Sequence, residues 1–206
     1  VTDYKKLASE FMDMFASRLD VRGQTVNKGI RREDGKEEVS VELMFEKITE
    51  EHWELHLKNE LPVSGETADN CRKYNKTLPF CGLGLVPIRP GTLDCRWGCI
   101  DIDQYDLNHK NVIDDIKKLE VPMIVFRSKS GGAHVFLFTK EWVTAAAMIE
   151  KLRSIAKELG LPKNVEIFPK QDRVREDGFG NFLNMPYVNA EHTQRYAYDD
   201  KGNAID

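Results

Sequence analysis

The most informative stretch of this chain is Trp97-Gly98-Cys99-Ile100-Asp101-Ile102-Asp103, an apolar strand into which two carboxylates are set. Successive side chains of a strand point to opposite faces of the sheet. Asp101 and Asp103 therefore share one face, while Ile100 and Ile102 share the other. The apolar face predicts packing against helices, and the acidic face predicts a site on the open side of the sheet.

Two later stretches repeat this design. Ser130-Gly131-Gly132-Ala133-His134-Val135-Phe136-Leu137-Phe138 reads as a Gly-Gly turn followed by a strand, with His134 on the face opposite to Val135. Val165-Glu166-Ile167-Phe168 reads as a further strand, with Glu166 opposite to its apolar neighbours. Each of the three stretches alone is most simply structural, but together they predict one polar site.

The order of elements around these stretches is β-α-β-β-α-β, the ferredoxin-like arrangement that RNA-recognition modules also use. The predicted elements are strand Trp97–Asp103, helix Lys110–Leu119, strand Pro122–Ser128, strand His134–Phe138, helix Trp142–Leu159 and strand Asn164–Phe168. In this arrangement the first strand lies between the third and the fourth. Because neighbouring strands are about 4.8 Å apart, Asp101 and Asp103 should be flanked by His134 and Glu166.

The first part of the chain predicts an α/β appendage. Its expected elements are helix Tyr4–Leu19, strands Thr25–Arg31 and Glu38–Phe45 joined by an Asp34-Gly35 turn, helix Glu50–Lys58 and a long irregular connection over Leu61–Pro90. The fold class is therefore α+β. Residues 1–90 form an N-terminal α/β subdomain packed on the core, and residues 91–206 form an RNA-recognition-like catalytic core with a C-terminal extension.

Composition limits the classes of function. The chain has 206 residues and a formal net charge of -4, with a pI of about 5.8. This balance argues against a protein that coats nucleic acid by bulk charge, although a local basic groove remains compatible with it. No run reaches the length of a membrane span and no secretion signal is evident, so we expect a cytoplasmic location and no membrane partner.

The four cysteines are Cys71, Cys81, Cys95 and Cys99, and none of them forms a CxxC pair. Reduced cysteines used as small packing residues are the simplest interpretation. A zinc site that combines Cys71 and Cys81 with other ligands stays open.

The three carboxylates of the predicted site are unfavourable together unless a cation binds between them. Asp101, Asp103 and Glu166 would repel one another and would lose hydration. Hard oxygen ligands suit Mg²⁺ or Mn²⁺, and two such ions roughly 3.5–4 Å apart serve nucleotidyl transfer. Ser130, Gly131 and Gly132 allow close backbone approach and offer N–H donors to phosphate oxygens.

These residues resemble the archaeo-eukaryotic primase superfamily, in particular the primase-polymerases of phages, plasmids and conflict systems. The family has an Asp-x-Asp strand, a strand with Ser/Gly before a His, and a later acidic strand. The matching segments are Cys99–Asp103, Arg127–Val135, Val165–Gln171 and Gly178–Pro186, and the stretches Gly84–Ile88 and Cys95–Gly98 are also in keeping with this branch. Together they cover much of residues 82–189, and Glu166 stands where Asp is commoner in the family.

The resemblance implies a DNA primase-polymerase that adds NTPs or dNTPs along a single-stranded DNA template. Asp101, Asp103 and Glu166 would hold two Mg²⁺ or Mn²⁺ ions, and His134 would contact the triphosphate. Further nucleotide contacts would come from Ser130, Gly131, Lys170, Gln171, Arg127 and Lys129. The resemblance also suggests a bacterial, phage or mobile-element origin and a helicase in the same or an adjacent chain.

Two other functions fit parts of the pattern. A non-catalytic RNA-recognition-like module would bind nucleic acid on the same sheet, although three acids on that face would repel phosphate without metal. A metal-dependent nuclease also uses paired acids. Nucleases usually add a lysine in the same strand, and none follows Glu166 at that spacing.

Overall fold

The structure is a computed structural model that describes residues 2–31, 37–74, 76–77, 79–174 and 178–205, without the side chains of 27–31 and 37. Over these ranges the chain is a mixed α/β protein with five α-helices and two antiparallel sheets. The helices are α1 (Tyr4–Met14), α2 (Glu50–Lys58), α3 (Gly65–Lys73), α4 (His109–Lys118) and α5 (Ala145–Glu158), with a 3₁₀ turn at Ala190–His192. The strands are β1 (Arg22–Arg31), β2 (Glu37–Met44), β3 (Gly84–Leu85), β4 (Asp94–Ile102), β5 (Met123–Arg127), β6 (Ala133–Thr144), β7 (Glu166–Phe168), β8 (Leu183–Asn184), β9 (Ala197–Tyr198) and β10 (Ala204–Ile205).

The larger sheet has the strand order β10-β9-β5-β6-β4-β7. Strand β4 therefore lies between β6 and β7, as the order of elements predicts. Helices α4 and α5 cover one face, because the apolar residues of β4, β6 and β7 that alternate with the acids meet their buried residues. This core includes Ile100, Val135, Ile167, Ile113, Ile116, Met148 and Leu152.

The smaller sheet has the order β2-β1-β3-β8 and combines both ends of the chain. Strand β8, which follows the last acidic strand in sequence, pairs with β3 through Leu183 and Asn184. The first helix and second helix lie against each other beside this sheet. The chain thus crosses between the two sheets three times, after β3, before β8 and again before β9.

The second face of the larger sheet is not open along its whole length. Trp97 and Cys99 on β4 and Phe136 on β6 are fully buried on the face that also carries Asp101 and His134. They share one core with Phe15 and Trp53 of the N-terminal part. The polar site therefore lies at the border of the part of this face that the N-terminal residues cover. The expectation that the whole face is open is wrong.

Several element boundaries differ from those expected. The Leu61–Pro90 stretch contains α3 and β3, so its interpretation as wholly irregular is wrong. Strand β6 continues to Thr144, which places Trp142 in a strand and not in α5. Helix α1 ends at Met14 and not at Leu19. The expected Asp34-Gly35 turn lies outside the described residues, and within them no helix is long and apolar enough to cross a membrane.

Candidate active site

One row of residues crosses five strands of the larger sheet and forms the centre of the candidate site. Asp101 pairs with His134 on one side and with Glu166 on the other. His134 in turn pairs with Phe126, and Phe126 pairs with Ala197. Residues paired across an antiparallel sheet point to the same face, so the row brings the two carboxylates and the imidazole together.

Asp101 is the acid of the site whose pKa is raised. Burial and the negative charges of Glu166 and Asp103 together raise the pKa of Asp101 to about 6, while Lys170 acts in the opposite direction. The carboxyl group is thus desolvated and surrounded by like charge. A cation placed among these oxygens would relieve both effects.

His134 is the neutral member of the row. Burial lowers the pKa of His134 to about 4, and the positive charge of Arg195 contributes in the same direction. Its Nε2 lies 3.5 Å from Asp101 Oδ1. Because the imidazole is uncharged at neutral pH, this contact is not an ion pair, and the ring remains available to a phosphate.

The turn before β6 reaches the end of β4 and holds Asp103. Ser130 Oγ donates to Asp103 Oδ1 at 3.2 Å, and Ser128 Oγ lies 3.2 Å from Ser130 Oγ. Gly131 has a φ of 92°, which favours glycine. His109 of α4 binds the Gly132 carbonyl through Nε2 at 2.9 Å and so supports the turn from below.

Glu166 is an exposed acid and is engaged by a cation. Lys170 Nζ lies 2.8 Å from Glu166 Oε2 and 5.0 Å from the centroid of the Phe168 ring. Gln171 does not turn toward the acids, because its amide donates to Asn181 Oδ1. Lys170 therefore lies at the site, whereas Gln171 ties the following segment together.

The other two predicted nucleotide contacts lie away from the row. Arg127 alternates with Phe126 and so starts from the opposite face, and its guanidinium donates to the Gln194 carbonyl at 3.1 Å. Lys129 is exposed in the turn itself. The structure thus gathers Asp101, Asp103, His134, Glu166, Ser130, Gly131 and Lys170, and leaves Arg127, Lys129 and Gln171 at the margin.

The oxygen donors suit a divalent cation, although they do not form a closed cage. Three carboxylates on one face, one of them with a raised pKa, are the hard ligands that Mg²⁺ or Mn²⁺ prefers. Among the described residues, however, no group of three or more His, Cys, Asp or Glu side chains is arranged to hold a metal ion. Asp103 and Glu166 are instead engaged by Ser130 and Lys170.

The cysteines give no sign of a second metal centre. All four are free thiols, and Cys81, Cys95 and Cys99 are buried. Cys81 lies 3.6 Å from an Arg22 nitrogen, and burial raises the pKa of Cys81, Cys95 and Cys99. Buried neutral thiols are poor metal ligands, which favours their role in packing.

The mixed α/β fold is consistent with a known class of domain, the archaeo-eukaryotic primases. The family model of the archaeo-eukaryotic primase domain of the TOTE conflict system matches residues 6–201, and the chain belongs to this family. None of the curated proteins matches the chain. Membership in the family points to a primase-like role in nucleotidyl transfer, with nucleic acid and nucleoside triphosphates as substrates.

Two residues near the site carry no local signal in the sequence. His109 supports the Gly132 turn from the start of a helix, and Arg195 acts on His134 from the C-terminal segment. Both act through long-range placement, and their own neighbours in sequence show no motif. The pairing of β9 with β5 brings the C-terminal segment to this edge of the site.

Proposed function

We propose that this chain is the catalytic domain of a DNA primase-polymerase, which adds NTPs or dNTPs along a single-stranded DNA template. The observation that carries the proposal is the row in which Asp101 lies between His134 and Glu166 in a chain of the primase family. The strand order around that row supports an RNA-recognition-like core. The proposed subdomain (1–90) and core (91–206) would share the buried face beside the site.

In the proposed reaction the 3′-hydroxyl of the growing strand attacks the α-phosphate of the incoming nucleotide, and pyrophosphate leaves. Asp101, Asp103 and Glu166 would hold two Mg²⁺ or Mn²⁺ ions. Bound there, the ions would supply charge stabilisation to the attacking and leaving oxygens. Lys170 would exchange its bond to Glu166 for a phosphate oxygen.

The neutral residues of the site would orient the nucleotide. His134, kept uncharged by burial, offers a ring N–H to a phosphate oxygen without forming a fixed ion pair with Asp101. The Ser130–Gly132 turn offers its hydroxyl and backbone N–H groups from the adjacent edge. The partial burial of Asp101 and His134 would strengthen the contacts made beside them by limiting the access of water.

A template-extension assay tests the proposal. Purified protein is incubated with single-stranded DNA template, Mg²⁺ or Mn²⁺ and labelled NTPs or dNTPs, with and without a primer. We expect incorporation by the unaltered chain and a loss of at least about a hundredfold in Asp101→Asn and Asp103→Asn, since each substitution removes a charged oxygen ligand. Asp114→Asn is the matched control, because Asp114 is an acid of α4 that pairs with Lys110 on the exposed surface.

The outcomes separate the rival functions. Full incorporation by both Asp101→Asn and Asp103→Asn would refute the assignment of these acids. Tight metal-independent binding of single strands without synthesis would identify a binding module, and degradation of labelled DNA without added nucleotides would identify a nuclease.

A further inference from the structure

Arg195 is a half-buried cation whose guanidinium has no partner among the residues that the structure describes. Burial lowers its pKa, yet a guanidinium remains charged at neutral pH. No hydrogen bond or ion pair joins its side chain to any part of the described chain. Two buried arginines behave differently, because Arg18 pairs with Asp20 at 2.6 Å and Arg22 pairs with Glu46.

The sheet register places Arg195 at the edge of the candidate site. Phe126 pairs with Ala197, and the Arg127 N–H donates to the Tyr196 carbonyl at 2.9 Å. Counted on by one further pair, this antiparallel register places Arg195 opposite Ser128 and on the same face as Ala197. Its backbone is fixed from the other side, since the Tyr187 N–H donates to the Arg195 carbonyl at 2.9 Å.

Two serines connect the position opposite Arg195 with the acids through hydrogen-bond contacts. Ser128 is buried and its Oγ lies 3.2 Å from Ser130 Oγ, and Ser130 in turn donates to Asp103. The charge of Arg195 also reaches two buried imidazoles, because it helps to lower the pKa of both His134 and His56. The guanidinium therefore lies within electrostatic range of His134, on the flank of the row opposite to Lys170.

An unpaired guanidinium that is partly removed from water favours an anion beside it. Its planar set of N–H donors matches the oxygens of a phosphate group. The acids cannot serve as that anion, since the ion pairs of the described residues leave Arg195 without one. A phosphate group entering beside His134 would supply the missing charge.

We propose that Arg195 binds the triphosphate of the incoming nucleotide from the His134 side of the site, opposite to Lys170. This inference rests on the proposed function and extends it by one named phosphate-binding residue. The same phosphate chemistry occurs in the backbone of a nucleic acid strand. We assign Arg195 to the nucleotide because the sheet register places it opposite Ser128, at the start of the turn that holds Asp103.

The test compares nucleotides with and without phosphates. Binding of fluorescent mant-ATP and mant-adenosine is measured in Mg²⁺ and in EDTA for the unaltered chain, Arg195→Gln and Arg195→Lys. Arg72→Gln is the control, because Arg72 is an exposed arginine of α3 paired with Asp69. We expect Arg195→Gln to weaken mant-ATP at least about tenfold in both solutions, with mant-adenosine unchanged and Arg195→Lys intermediate.

Other results would overturn the assignment. Unchanged mant-ATP affinity in a folded Arg195→Gln protein, or no mant-ATP binding by the unaltered chain, would do so. A loss confined to a fluorescein-labelled oligothymidine would place Arg195 on the nucleic acid backbone. If Arg195→Gln melts below the assay temperature, Arg195→Lys decides, and an unaltered affinity in that variant counts against the proposal.

Failure of the proposed function gives a different result. If the unaltered chain binds mant-ATP in an Arg195-dependent manner and incorporates no nucleotide, then polymerisation is refuted and the phosphate contact stands. If it incorporates nucleotides while Arg195→Gln binds mant-ATP normally, then only the assignment of Arg195 fails.

Discussion

Gly132 lets the turn before β6 approach the end of β4. A Cβ at this position would lie 2.0 Å from the Ile102 carbonyl oxygen and 3.2 Å from the Gln104 nitrogen. Both neighbours are backbone atoms, so the turn itself has to move. In Gly132→Ala we expect Ser130 to shift away from Asp103 and nucleotide incorporation to fall by about tenfold to a hundredfold, because small misplacements of a site are costly.

The control for this substitution is Gly82→Ala. A Cβ at Gly82 would meet Val188 at 3.6 Å and His56 at 3.8 Å, which are ordinary contacts. Incorporation and melting temperature should be measured for both variants. Equal incorporation by the two would show that the close approach of the turn has no part in activity.

His56 is a buried histidine whose tautomer is fixed by its hydrogen bonds. The Leu83 N–H donates to Nδ1 at 2.9 Å, so Nε2 carries the proton and donates to the Pro186 carbonyl at 2.8 Å. Burial lowers the pKa of His56 to about 4, and the charge of Arg195 adds to this effect. The neutral ring thus links the second helix to β3 and to the segment after β8.

Acid should therefore destabilise the protein through His56. Between pH 6.5 and pH 4 the unfolded chain binds a proton that the folded chain does not, so the free energy of unfolding falls as the pH falls. The full effect is of the order of 3 kcal/mol. The lowered pKa of His134 also makes the free energy of unfolding fall with falling pH, whereas the raised pKa of Asp101 makes it rise. The test therefore compares how steeply the free energy of unfolding depends on pH in different variants.

The measurement is urea unfolding from pH 7 to pH 4.5 for the unaltered chain and for His56→Gln. Glutamine keeps a polar group but cannot be protonated. We expect the variant to be less stable at pH 7 and to lose less stability on acidification. Parallel pH dependences for the two proteins would contradict the role assigned to His56.

At the scale of elements, strong local patterns predict most of the larger sheet and its helices. Helix α2 occupies Glu50–Lys58 as expected, and α4 begins and ends one residue from its predicted bounds. Strands β4 and β7 alternate apolar and acidic residues, and this alternation fixes which side chains share a face. The central position of β4 followed from the order of elements alone.

The elements that sequence patterns missed depend on distant partners. Helix α3 has one buried residue, Ala68, so its sequence shows little periodicity. Strands β3 and β8 are two residues long and pair with each other, and β3 also pairs with β1. Strand β6 continues past Phe138 because β4 pairs with it again at Cys95 and Asp94.

The junction of β6 and α5 provides a test of an element boundary. Thr144 ends β6, and its side chain accepts a hydrogen bond from the Ala147 N–H at 3.3 Å, which caps α5. Thr144→Ala should lower the free energy of unfolding by about 1 kcal/mol. Thr144→Ser keeps the capping oxygen and should retain most of that stability. Equal stability of the two variants in urea unfolding would place the start of α5 elsewhere.

At the scale of the whole molecule, one aromatic core joins the N-terminal part to the face that carries the site. Phe15, just after α1, has ring centroids of Trp53 at 5.7 Å, Trp97 at 6.2 Å and Phe136 at 5.3 Å. Trp97 precedes Asp101 by four residues on β4, and Phe136 follows His134 by two on β6. The site is therefore supported by residues that the sequence assigns to the appendage.

Sequence reasoning reached the row of Asp101, His134 and Glu166 because alternation and strand order are local rules. It did not reach the covering of that face, because apolar residues such as Phe15 and Trp97 give no indication of which surface they meet. It did not point to Arg195, whose position depends on the pairing of the short strand β9 with β5. Local patterns thus define the polar face of the sheet, and long-range packing defines what surrounds it.

This shared core predicts that the two parts unfold together. Phe15→Ala removes a buried ring from contact with both parts, and we expect a loss of about 3–5 kcal/mol in the free energy of unfolding. Met14→Ala is the control, because the neighbouring Met14 side chain is 46% exposed. Far-ultraviolet circular dichroism and tryptophan fluorescence should report one coincident transition, since Trp53 lies in α2 of the N-terminal part and Trp97 in β4 of the larger sheet. Separate transitions, with the larger sheet intact after the N-terminal part has melted, would show that the core does not couple them.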